Sequence, residues 1–127
     1  MIKAGIRAFV GKLSMDMSSH PSYVEASADI ALTAVTSFVD QCLSLENTVD
    51  RHRRLVKPVI TPRFVPTCSD ELLIRLGRLS QDRNLMVQSH MAESLDQVEW
   101  VRNERGVEDI EVFERVGFLF IENQYAH

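Results

Sequence analysis

Long apolar runs are missing from this chain. No segment approaches the ~20 consecutive apolar residues that a membrane-spanning helix requires, and the first residues, MIKAGIRAFVG, carry no apolar stretch with a cleavage site. Neither a helical membrane span nor a secretory signal is expected. Cysteine is scarce too: Cys42 and Cys68 are far apart and outside any metal-type spacing. That excludes a disulfide framework and fits a reducing, cytoplasmic compartment. An excess of positive charge is also lacking, with 18 acids against 14 lysines and arginines and a net charge of −4. Composition therefore gives no electrostatic basis for a nucleic-acid partner. The basic cluster Arg51-His52-Arg53-Arg54 lies in a polar stretch and reads as a solvated loop. Finally, the four histidines, His20, His52, His90 and His127, stand alone, with no His-x-His among them.

What is present is ordinary material for one globular domain over residues 1–127, with 45% apolar and 25% charged residues. Ile6 to Lys12 favours a strand, followed by a polar loop. From Tyr23 the period changes, and Val24, Ala28, Ala31, Val35, Phe38, Cys42 and Leu45 form the stripe of a long amphipathic helix. The segment KPVITPRF, residues 57–64, reads as a second strand whose pairing ends near Pro62, because proline has no N–H for a ladder.

Ser69 then supplies an N-cap, Asp70 and Glu71 complement the helix dipole, and Leu72, Leu73, Leu76 and Leu79 line one face. Asn84 tolerates the left-handed conformation that would close this helix. LMVQSH, residues 85–90, reads as a third strand. Ser94 and Gln97 have capping-box spacing, Leu95, Val98 and Val101 share one side of the next helix, Trp100 packs against the sheet, and Gly106 terminates it. Strand and helix thus alternate, which implies an α/β fold with parallel strands and right-handed crossovers. From Val107 onward, a helix end and a short strand both fit.

His90 falls at the C-terminal end of the third strand, and Glu93 lies in the turn that follows. In parallel α/β architectures, ligands and catalytic groups collect at that edge. Arg63 and Phe64 occupy the same end of the neighbouring strand, and adjacent strands lie about 4.8 Å apart. A neutral imidazole is a good zinc ligand, and a nearby carboxylate that does not bind metal can move protons. A lone His-x-x-Glu also occurs in many chains as a histidine satisfied in a strand-end turn. A catalytic zinc needs about three protein ligands, and the pattern offers one strong candidate.

RAFVGK, PVITPRF and VQSHMAES, in this order and at these separations, resemble the guanine deaminases of the amidohydrolase superfamily. The resemblance covers essentially the whole chain, and Thr-Pro-Arg-Phe followed by Gln-Ser-His is its most specific part. It implies a zinc-dependent (β/α)8 barrel that hydrolyses guanine to xanthine and ammonia. It further implies that His90 binds the metal and Glu93 shuttles protons, while Arg63, Phe64, Gln88 and His127 contact the purine. The complete enzymes of this family are implied to be homodimers.

Two departures bear on this expectation. The family's His-x-His pair and its last-strand Asp have no counterpart here, and a complete barrel takes roughly 250 residues. The chain therefore reads as an interior part of such a barrel, with three to four β/α units and an incomplete zinc ligand set. Alone it is expected to be inactive. The competing readings are a non-catalytic α/β interaction module and a related enzyme acting on another amino-heterocycle.

Overall fold

A computed structural model of the chain describes residues 2–18, 20–45, 50 and 53–118. Three extended segments run parallel to one another. In the first, β1 (Ala8–Val10) and β2 (Leu13–Ser14) are separated by Gly11 and Lys12; in the second, β3 (Val56–Pro58) and β4 (Thr61–Pro62) are separated by Val59 and Ile60. Ala8 pairs with Val56 and Leu13 with Thr61 at one constant offset, so the two short ladders are halves of a single interrupted pair. Gly11 is required at the interruption, because a Cβ there would lie 1.7 Å from Thr61 Oγ1 and 2.9 Å from the carbonyl oxygen of Val59.

The third segment is joined through a bridge between Ile60 and Val87. The Ile60 N–H donates to Met86 O and the Gln88 N–H donates to Ile60 O, both at 2.9 Å, and the His90 N–H reaches Arg63 O at 3.2 Å. The regular pairing ends at Pro62, as its missing N–H suggested. Just beyond it the Arg63 N–H donates to Ser14 O at 3.0 Å.

Helices α1 (Ala28–Ser44) and α2 (Asp70–Arg83) connect successive strands, and α3 (Leu95–Arg105) and α4 (Asp109–Arg115) follow the third. Helix α1 begins at Ala28, five residues after the expected Tyr23. The delay has a visible cause: the Glu25 N–H donates to Met15 O at 2.9 Å, and the Glu25 carboxylate accepts from the Met15 N–H at 3.0 Å and from Lys12. Tyr23 itself closes a separate 3-10 turn, Pro21–Tyr23, and those bonds hold the chain just after it. Ser27 then caps the helix by accepting from the Ile30 N–H at 3.2 Å. The buried stripe is Ala28, Ala31, Val35, Val39 and Cys42, so Val39 takes the inner place expected of Phe38, which is half-buried.

Helix α2 matches expectation. Ser69 accepts from the Leu72 N–H, Leu72, Leu73 and Leu76 are fully buried, and Asn84 closes the helix at φ 49°. Its Gly77 packs so closely on α4 that a Cβ would lie 1.9 Å from Val116 O. In α3, Val101 and Gln97 are the inner residues, and Gly106 ends the helix at φ 71°. Leu95, the first residue of α3 and expected on the inner side, is instead 81% exposed.

Within the ambiguous segment after Val107, Asp109–Arg115 form α4, with Val112 and Phe113 buried, while residues 119–127, where a short strand also fitted, lie outside the described residues. The core thus lies between one sheet face and α1 and α2, joined by Val101, Val112 and Phe113. Among the described residues no helix is long and apolar enough to cross a membrane.

Candidate functional site

The C-terminal ends of the three extended segments open on one cleft of 460 Å³, lined by Leu13, Tyr23, Arg63, His90 and Glu93. Each element brings its side chain there for a local reason. Arg63 is the first residue beyond β4, fixed by its N–H bond to Ser14 and by its carbonyl, which accepts from the His90 N–H. Ser89 reinforces that junction by donating its hydroxyl to Pro62 O at 2.8 Å. The Arg63 guanidinium donates to Met15 Sδ at 3.6 Å and lies 5.4 Å from the centre of the Phe64 ring. That is cation–π range and holds the long side chain across the cleft mouth.

His90 and Glu93 meet directly, with Nδ1 to Oε1 at 2.8 Å, and both side chains are more than half exposed. An exposed pair of this kind contributes only about 0–1 kcal/mol, so the backbone must present the two groups already aligned. It does so through an unusual turn. Ala92 has φ 48°, a conformation that residues with a Cβ avoid, and such strain tends to be retained at functional sites. The Ala92 N–H donates to Asp109 Oδ2 at 3.0 Å, and the Glu93 N–H donates to Gln97 Oε1 at 3.0 Å.

Of the residues singled out from sequence, Arg63, His90 and Glu93 converge. Phe64 supports Arg63 from beneath rather than lining the cleft. Gln88 turns aside, donating from Nε2 to Thr61 Oγ1 at 3.1 Å. His127 lies outside the described residues. Sequence reading missed Leu13 and Tyr23 on the cleft wall, Met15 under Arg63, and the Gln97–Asp109 support. Gly11 was the usable signal for the first of these, since a glycine that lets strands close up allows the strand to continue to Ser14. No local pattern marks Asp109.

As a metal site the arrangement is partial. With Nδ1 of His90 engaged by Glu93, the Nε2 lone pair is the one left for a metal, the usual way a carboxylate orients a ligating imidazole. Among the described residues, no three His, Cys, Asp or Glu side chains gather as a complete metal site would need. His90 therefore fits as one ligand of a set.

The chain is 42% identical over 101 residues to a guanine deaminase of Dictyostelium discoideum, covering 80% of this chain and 21% of that protein. It is 38% identical over 102 residues to the human guanine deaminase, again covering 80% of this chain and 21% of the relative. A crystal structure of guanine deaminase from C. acetobutylicum with guanine bound in its active site superposes with a TM-score of 0.78 at 37% identity, over 91% of this chain and 26% of that one. The chain thus spans about a fifth of the length of these curated relatives. Residues 1–119 match the amidohydrolase family, and the chain belongs to that family.

Proposed function

We propose that this chain supplies three consecutive β/α units of a (β/α)8 barrel and, with them, part of the active site of a guanine deaminase. The observation that carries the reading is the convergence of Arg63, His90 and Glu93 on one strand-end cleft. Relatives that share this stretch at 42% and 38% identity are guanine deaminases.

In this reading His90 is a zinc ligand through Nε2. The metal, when bound, supplies the acidified water that makes hydrolysis possible near neutral pH. Glu93 would take up a proton from the attacking water on its carboxylate and deliver it to the departing exocyclic amine, so that guanine and water become xanthine and ammonia. Oε1 faces His90 and Oε2 is left for the proton. Arg63, braced on Phe64 and Met15, donates to the purine's ring nitrogens or carbonyl. The remaining metal ligands belong to the rest of the barrel, so the chain by itself is inactive.

A chimera tests this directly. Replacing the matching segment of the Dictyostelium enzyme with this chain should retain conversion of guanine to xanthine. Arg63→Ala in that chimera should depress turnover of guanine more than of other amino-heterocycles. A folded, zinc-loaded chimera that is inert on guanine but active on another amino-heterocycle would replace the substrate. One inert on all of them would favour a non-catalytic module.

A further inference from the structure

Behind the cleft lies a polar pair that the proposed reaction does not use. Asp109, the first residue of α4, is 6% exposed, and Gln97 of α3 is 7% exposed. Asp109 Oδ2 accepts from Gln97 Nε2 at 3.3 Å as well as from the Ala92 N–H. Gln97 Oε1 in turn accepts from the Glu93 N–H. Two successive amides of the turn are therefore held from beneath by two helices. At the other end of the turn, the His90 N–H is held by the strand through Arg63 O. We propose that Asp109, acting through Gln97 and the Ala92 amide, is the positioning residue that sets Glu93 against His90.

Stability alone does not account for this pair. Asp109 Oδ1 is buried without a hydrogen-bond partner among the described residues, and a buried carboxylate with one unpaired oxygen is costly. An apolar pair of similar volume would avoid that cost but would leave the Ala92 and Glu93 amides without acceptors. What the polar pair secures is geometry. It stabilises the left-handed Ala92 and fixes the direction in which Glu93 leaves the turn. The partner of one imidazole nitrogen determines which nitrogen carries the proton. Glu93 held in place makes Nδ1 the donor and leaves Nε2 bare. The consequence for metal binding rests on the deaminase reading; the positioning itself does not.

The test is the tautomer of His90, read from its ring ¹⁵N shifts in the zinc-free 127-residue chain at a pH where its imidazoles are neutral. The native chain should show the Nδ1–H form. Gln97→Met, which keeps the volume, and Asp109→Ala should shift His90 toward the Nε2–H form favoured by a free side chain, and the Ala92 and Glu93 amides should lose exchange protection. Asp109→Asn can present one oxygen to both donors and should restore the native tautomer. Unchanged Leu72 and Leu73 methyl shifts would certify the fold, and if Asp109→Ala unfolds, Gln97→Met decides. A His90 tautomer that stays Nδ1–H in Gln97→Met would overturn the proposal, as would an Asp109→Asn chain behaving like the alanine variant. Neither zinc nor guanine enters the measurement, so its failure would leave the deaminase reading standing, and failure of that reading would leave this one.

Discussion

On the helix-facing side of the sheet, Ile60, Leu72, Leu73 and Leu76 are completely buried, whereas on the opposite side Phe9, Leu13 and Met86 are 56%, 47% and 53% exposed. The two faces follow from one strand period of two residues. Val56, Pro58, Ile60 and Pro62 are buried, while the alternate set in the second and third segments includes Arg63, Gln88 and His90, all exposed, with Val59 at 3% exposure the exception. One face is finished by its own helices. The other combines the polar site residues with apolar side chains that lack cover, as the lining of an unclosed barrel would. Stability and chemistry are thereby assigned to different sides of the same three strands.

The largest expected effect lies on the finished side. Leu73→Ala should cost about 2–5 kcal/mol, read as a shift in urea midpoint, while Gln88→Ala on the open face should change stability by less than about 0.5 kcal/mol. Equal losses would erase the distinction between the faces.

Next comes Cys68, whose Sγ donates to Ser14 O at 3.4 Å and whose thiol pKa is pushed up from 9.0 to about 11, first by burial and then by the charge of Asp16. The unfolded chain loses this proton before the folded chain does. The thiol's contribution is therefore intact below pH 9 and is lost as pH rises toward 11, at most about 2–3 kcal/mol from the linkage relation. Comparing denaturation of the native chain with Cys68→Ala between pH 8 and 10.5 checks the sign, since only the native chain should show this loss.

Gly77→Ala should destabilise by about 1–3 kcal/mol. Its Cβ would meet the rigid Val116 backbone, and that contact outweighs the helix propensity gained. The smallest effect belongs to the site edge. Ala92→Gly removes a left-handed Cβ and should stabilise by no more than about 1 kcal/mol. A clear loss in thermal unfolding would mean that the turn is not strained.

Much of the finished side was legible in the sequence, because helices announce themselves locally. Ser69 and Ser94 are N-caps, Asn84 and Gly106 are left-handed C-caps, and the leucine stripe of α2 points inward. Failures came where distant contacts overruled local pattern. Glu25 reaches back to Met15 and delays α1. The order of the site residues along the chain was readable, and so was the strand end that gathers them. The support behind Glu93 was not, since Gln97 and Asp109 come together only when α3 and α4 pack, and neither residue is unusual in its own segment.

The most direct test of this division is Glu93→Gln in the guanine deaminase chimera, with turnover and thermal stability measured on the same preparation. The account predicts that guanine hydrolysis falls by at least about 10²-fold, the usual scale for removing a general acid–base group, while the melting temperature stays within a few degrees. Undiminished turnover, or a loss of activity matched by a loss of fold, would contradict it.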